Sequence, residues 1–302
     1  MSRCHYLKTI RLLLILAAMY PARPGIAHAQ ADSLSEANTI HPGGSSVSNI
    51  CEDTAAPPPL KDALRLVCQR KPVPITNVAA RNLIVIGFVG GFVKHDDTMH
   101  PEVHFATYLR DRYPSAVHAE VFANHDGKKA LRQVLRLLDT NGDGMLAPTE
   151  KEQASIIIYG HSWGASQAVA LARELGRQAI PVLLTIQVDS IRKRGQDDST
   201  IPANTRTAVN FYQLRGLLHG RSTIRAADLA RTKILGNFRM TYEDRRINCD
   251  NYPWLVRVFD KPHHEIENDP RVWDQITALI DFELTRTRST TQVSSPSSLS
   301  PK

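Results

Sequence analysis

Several things are missing from this sequence of 302 residues, and each absence narrows what it can be. No apolar run approaches the roughly 20 residues that a membrane-spanning helix needs. The 16 Gly and 18 Pro give no collagen-like bias, and no internal repeat is present. Excess charge of one sign is also largely missing. The formal net charge is +7, but four basic residues (Arg3, Lys8, Arg11 and Arg23) sit in the first 29 residues with no acid among them. Without that stretch the charge falls to +3, which gives no reason to expect a nucleic-acid partner. Cysteine is sparse: Cys4 lies in the same stretch, leaving Cys51, Cys68 and Cys249. Three thiols allow one disulfide and one spare, either Cys51 with Cys68 or a pairing through Cys249. Hydrophobic residues at 42% and charged residues at 22% still suffice for a folded core, so a wholly disordered chain is excluded.

The beginning of the chain has the form of a signal peptide. A basic stretch precedes the apolar run Leu12 to Met19, and Ala27-His28-Ala29 places small residues where a signal peptidase reads them. The expectation is export, secreted or periplasmic, with residues 1–29 removed and the mature chain starting near Gln30. Residues 30–75 read as an N-terminal extension, rich in Pro and Gly with one short helical stretch at Leu60 to Val67. Residues 287–302, rich in Ser, Thr and Pro, read as a disordered tail.

Between these flanks, residues 76–286 alternate short apolar runs with segments of helical period. Strands are expected at 82–86, 118–123, 155–159, 181–188, 208–212 and 233–240. Helices are expected at 101–113, 128–138 and 163–176, with a last one opening at Asp269-Pro270. Such alternation predicts an α/β fold, a mainly parallel sheet covered by helices on both faces.

The most informative stretch is Gly160-His161-Ser162-Trp163-Gly164. It follows a buried strand and opens a helix, the context in which Gly-x-Ser-x-Gly marks a nucleophile held on a strained turn. The helix start favours negative charge developing beside Ser162. Over residues 80 to 285 the chain resembles an α/β hydrolase of the esterase and lipase kind. That resemblance implies a serine, acid, histidine order. Asp189, at the end of the strand Val182 to Val188, is the first candidate for the acid, with Asp228 the alternative. His263, in a loop before the last helix with apolar Ile266 three places on, is the candidate base, and His264 the fallback. The resemblance also implies an oxyanion hole from the N–H groups of Trp163 and Phe88, with Val89 second, in the loop Gly87-Phe88-Val89-Gly90-Gly91. A lid in this fold commonly follows the strand ending at Asp189, where about 18 residues leave room for a small one at most. The implied function is an exported serine hydrolase acting on a carboxylic ester or thioester of a small or lipid-like molecule. A serine peptidase or amidase, or a non-catalytic binding protein on the same scaffold, are the alternatives. Oligomeric state is not legible.

A second motif stands upstream. Asp139 to Glu150 matches the EF-hand calcium loop at every specified position. Asp139, Asn141 and Asp143 offer side-chain oxygens, Met145 its carbonyl, and Glu150 two carboxylate oxygens. The strand at 155–159 follows so soon that little room is left for a second helix. At about 3.3 Å per residue that strand would hold a Ca²⁺ roughly 20 Å from Ser162, so the ion is expected to be structural. His95, Asp96, Asp97, His100 and His104 read as a solvated entry loop, although His100 and His104 are one helical turn apart. The run His264-Glu265-Ile266-Glu267 lacks the second histidine of a zinc-protease helix.

Overall fold

A computed structural model describes residues 83–243, 245–252, 254 and 260–293, with side chains as far as Arg286. The leader, the extension with its helical stretch, and Cys51 and Cys68 lie outside the described residues. Cys249 is a free, buried thiol.

Six strands form one all-parallel sheet: β1 (Leu83–Val89), β2 (Val117–Ala123), β3 (Ile156–His161), β4 (Val182–Val188), β6 (Thr205–Tyr212) and β8 (Lys233–Arg239). Their spatial order is β2-β1-β3-β4-β6-β8. The two-residue strands β5 (Thr200–Ile201) and β7 (Arg225–Ala226) pair beside it. The helices are α1 (Pro101–Arg112), α2 (Gly127–Leu138), α3 (Pro148–Glu152), α4 (Trp163–Arg177), α5 (Lys261–Glu267) and α6 (Pro270–Val293). The fold is α/β. Among the described residues no helix is long and apolar enough to cross a membrane.

The strand sequences explain the layering. In β1 every residue is buried, and side chains alternate between faces. Leu83, Val85 and Val89 join a core with Phe105 and Leu109 of α1 and with Trp273, Ile276 and Ile280 of α6. Ile84, Ile86 and Phe88 join a second core with Val134 of α2 and Leu171 and Leu175 of α4. A strand apolar on both faces can only be central in a sheet covered twice.

Three expectations are adjusted. β1 continues three residues past Ile86, because Phe88 pairs with both Phe122 and Gly160 and Val89 with Ala123. The turn therefore starts at Gly90. α6 keeps its helical backbone to Val293, although the composition from Thr287 onward reads as a tail. The calcium-type loop runs into α3, a five-residue helix that Pro148 opens within the last three residues of the loop, so a short exit helix does fit.

Connectivity locates the crevice. From β1 the chain steps outward to β2, then returns across to β3 and proceeds the other way through β4, β6 and β8. The reversal lies between β1 and β3. In open parallel sheets the crevice beyond the strand ends at such a switch point is where ligands bind. Here it is bounded by Gly90 after β1 and Ser162 after β3.

Candidate active site

Ser162 has φ +57° and ψ −124°, a conformation that side-chain-bearing residues rarely adopt. Its glycine neighbours make this possible. A Cβ on Gly164 would stand 2.2 Å from the Phe88 carbonyl oxygen, and one on Gly160 would stand 2.5 Å from the Gly164 carbonyl. The start of α4 thus packs directly on the backbone of β1. The Ser162 N–H donates to the Val188 carbonyl of β4 at 3.0 Å, fixing the turn from the other side.

A cleft of about 370 Å³, partly open to solvent, lies at this point. Ser162, His263, Gly90 and Gly91 line it, together with His100, His161, His264, Glu267, Val93 and Leu218. His263 Nδ1 is 2.7 Å from Asp189 Oδ2. An ionised carboxylate only accepts, so Nδ1 carries the proton and Nε2 keeps its lone pair. Burial acts to lower the His263 pKa, but the hydrogen bond and charge of Asp189, with Asp260 and Glu267 behind, raise it above the ordinary 6.5.

Asp189 is itself fully buried and has φ +44°. The Gly220 N–H donates to Oδ1 at 2.7 Å and the Gln213 N–H at 3.1 Å, while Gln213 Nε2 donates to Oδ2 at 2.8 Å. Three donors and one imidazole fix both oxygens, so neither is buried without a partner. Asp228 faces its own turn, accepting from the Ala230 N–H at 2.9 Å. Sequence inspection misses Gln213 and Gly220: neither belongs to a motif, and each meets Asp189 only through the fold.

His263 does not sit in a loop. It lies on the short helix α5, whose entry is set by Asp260: the Asp260 carbonyl accepts from the His263 N–H at 3.0 Å, and its Oδ1 accepts from the Leu218 N–H at 2.9 Å. His264, the fallback base, turns the other way, with Nδ1 3.0 Å from Glu267 Oε2.

The oxyanion expectation changes as well. Phe88 is inside β1, fully buried with its ring against Phe122, and is not among the residues lining the cleft. Val89 is buried in the same strand, toward the opposite core. Ending β1 three residues too soon places the loop too early. Gly90 and Gly91 occupy the lining position, and a Cβ on Gly90 would lie 2.9 Å from Ser162 Cβ. Trp163 is the first residue of α4, so its N–H has no acceptor within the helix. Its ring meets Phe92 edge-on at 5.5 Å.

The segment after β4 is tied down. Ser190 Oγ donates to Asp198 Oδ2 at 2.8 Å, Arg221 Nε to Asp198 Oδ1 at 2.7 Å, and Lys193 Nζ to the Asn124 carbonyl at 2.7 Å. No inserted lid subdomain stands there.

Below the cleft lies a buried cluster. His100 reads as part of a solvated loop in the sequence, but it is 3% exposed, and its Nδ1 is 2.5 Å from Glu267 Oε1. Burial opposes its charge, yet Glu267 raises its pKa to about 9. Burial, and then the Glu267 charge, push Glu102 up to about 8. Burial lowers His161 to about 3. Among the described residues, His100, Glu102 and Glu267 are the one group of three His, Cys, Asp or Glu whose ligand atoms all lie within 4.8 Å of one another.

The calcium-type loop has different geometry. Gly142 and Gly144 take positive φ values of +72° and +78°. Asp139 accepts the N–H groups of both, at 2.8 and 2.9 Å. Asp143 Oδ1 accepts from the Met145 N–H at 2.8 Å, and Glu150 Oε1 from the Thr140 N–H at 2.8 Å. The donors Asp139, Asn141, Asp143, Met145 and Glu150 are all oxygen, as a hard cation requires, so this set fits Ca²⁺.

No family model matches the chain, and no curated protein matches it. Solved structures similar to it include two of RedJ, a thioesterase of the prodiginine biosynthetic pathway in Streptomyces coelicolor. One, with a PEG molecule bound in its active site, is 10% identical over 63% of this chain and 95% of its own, at a TM-score of 0.31. The other is 11% identical over 70% of this chain and 97% of its own, at 0.33. A likeness at that level carries no argument about activity, so the case for function rests on the geometry around Ser162.

Proposed function

We propose that the chain is a serine hydrolase that cleaves a carboxylic ester or thioester through an acyl-enzyme on Ser162. The observation that carries this reading is a strained serine sharing a cleft with His263, whose Nδ1–H is fixed by buried Asp189. In the reaction, His263 Nε2 takes the Ser162 proton as Oγ bonds to the carbonyl carbon. The carbonyl π electrons move onto oxygen, and N–H groups of Trp163 and of the Gly90-Gly91 turn stabilise that oxyanion. When the oxyanion collapses, the bond to the alcohol or thiol breaks, and His263 returns the proton to the leaving group. Water then repeats the sequence, releasing the acid and restoring Ser162. Asp189 holds the tautomer and balances the imidazolium that forms in each half. Leu218 in the lining, with exposed Phe92 edge-on to the half-buried ring of Trp163 next to Ser162, suits an apolar acyl group.

Asp139, Asn141, Asp143, Met145 and Glu150 would hold Ca²⁺ at the other end of β3, bracing the α2-to-β3 connection. Export belongs to the same reading, with residues 1–29 removed; mass spectrometry of the mature N-terminus checks it.

Labelling of purified mature protein by a fluorophosphonate tests the chemistry. Wild type labels, and Ser162→Ala and His263→Ala do not. Absence of labelling in folded wild type with calcium present would leave a non-catalytic binding protein as the reading. Hydrolysis of an amide in preference to esters would make the chain a peptidase or amidase.

A further inference from the structure

Glu102 is a carboxylate with 0% exposure, and neither of its side-chain oxygens has a hydrogen-bond partner. That is expensive for any buried polar group and more so for a charged one. Its surroundings explain the orphan. His161 Nε2 is 3.2 Å from the His263 carbonyl, which can only accept, so Nε2 carries the proton. His161 therefore turns the lone pair of Nδ1 inward, 3.7 Å from Glu102 Oε1 and 3.6 Å from Glu267 Oε2. Acceptors face acceptors across a small buried space. His100 Nδ1 completes the ring, beside Glu267 Oε1.

We propose that His100, Glu102 and Glu267 bind a zinc-class divalent cation at the floor of the Ser162 cleft, with His161 Nδ1 positioned to join them. One or two imidazoles with two carboxylates is a donor set for zinc and its neighbours, not for calcium, which takes oxygen throughout. Charge balances: two carboxylates and neutral imidazoles offset a doubly charged ion, so no net charge is buried. Outer contacts are also in place, as metal ligands require. Tyr252 Oη donates to Glu267 Oε2 at 3.2 Å, and His264 Nδ1 lies 3.0 Å from the same oxygen. His100, His161 and Glu267 line the cleft, so an ion has a way in.

The competing occupant is a proton, carried by Glu102 and directed at Glu267. The two arrangements part in a titration. Full-length mature protein is treated with EDTA, returned to buffer with calcium saturating, and titrated with Zn²⁺ by calorimetry and with Co²⁺ by visible absorption. One equivalent of Zn²⁺ is expected, with cobalt bands of low-coordinate nitrogen and oxygen ligation. Glu102→Gln keeps a donor toward Glu267 and so preserves the fold under either arrangement, but it weakens the metal at least tenfold, as does His100→Ala. Ser162→Ala and Asp143→Ala bind as wild type does, which separates this site from the nucleophile and from the calcium-type loop. No binding in wild type, or equal binding by wild type, Glu102→Gln and His100→Ala with all three folded, would overturn the proposal. Loss of binding in Asp143→Ala would overturn it too, by moving the ion to the loop.

Discussion

The two ends of β3 carry the two principal groups of polar residues, and they are built in opposite ways. At the N-terminal end, Asp139 to Glu150 is mostly exposed, and its acidic side chains accept mostly from N–H groups of the same twelve residues. At the C-terminal end every polar group is buried, and its partners come from across the fold. Asp189 meets His263 from 74 residues away, and His100 meets Glu267 from 167 residues away. A loop that satisfies itself in water can change without disturbing the sheet. A buried set cannot, because each deletion leaves another group without its partner. Perturbation at the C-terminal end of β3 should therefore be severe, and at the N-terminal end mild.

The largest effect is expected at the nucleophile. Ser162→Ala or His263→Ala should lower kcat/KM on a short-chain ester by about 10⁴-fold or more. Ser162→Ala should keep the melting temperature within a few degrees of wild type, while His263→Ala, which leaves buried Asp189 without its imidazole, should lower it. Steady-state kinetics with calorimetry check both halves; a loss of only tenfold would place the chemistry elsewhere. Next in size is Gly164→Ala. The new methyl would lie 2.2 Å from the Phe88 carbonyl oxygen, and overpacking of that kind costs about 1–3 kcal/mol or more. Melting should fall by roughly 2–4 °C per kcal/mol for a domain of this size. An unchanged melting temperature would mean α4 does not pack on β1 as described.

The pH profile sharpens the same contrast. His263 must be neutral to accept a proton, and its folded pKa is raised above 6.5. Activity should thus be low in acid, rise with pH, and reach half its plateau above 6.5. Asp189, Asp260 and Glu267 favour the charged ring, while burial opposes it. In Asp189→Asn the principal partner is neutral, so the half-point should move down, even though the plateau is far lower. A half-point unmoved by that substitution would separate Asp189 from the base.

The smallest effects belong to the loop. At a calcium concentration about ten times Kd, binding adds about 1.4 kcal/mol, so chelation should lower the melting temperature by roughly 3–6 °C. Asp143→Ala should abolish that difference while leaving kcat/KM within about twofold. A tenfold loss of activity on chelation would join the two ends of β3 into one unit.

The same contrast explains what the sequence makes legible. Strands β1 and β3 are written in short apolar runs and β4 in one broken only by Thr185 and Gln187, and the elbow in a five-residue pattern, because each depends on near neighbours. Ser162, Asp189 and His263 can be picked out from pattern and order. Gln213 and Gly220 cannot, since neither belongs to a motif, and Glu102 and Glu267 cannot, since they come together with His100 only through the fold. His100 is the instructive case. Surrounded in sequence by His95, Asp96 and Asp97, it looks solvated, yet α6 and the end of α5 close over its end of α1. The oxyanion segment is displaced for a simpler reason. Gly87 looks like the end of a strand, but pairing on both sides carries β1 on to Val89.

The most direct test of the central claim is to mix the protein with a slowly deacylating thioester, quench within the first turnovers, and map the peptides by mass. A covalent acyl group on the peptide containing Ser162, absent from Ser162→Ala, is the predicted result. Turnover of the thioester with no acyl group on that peptide would contradict the account.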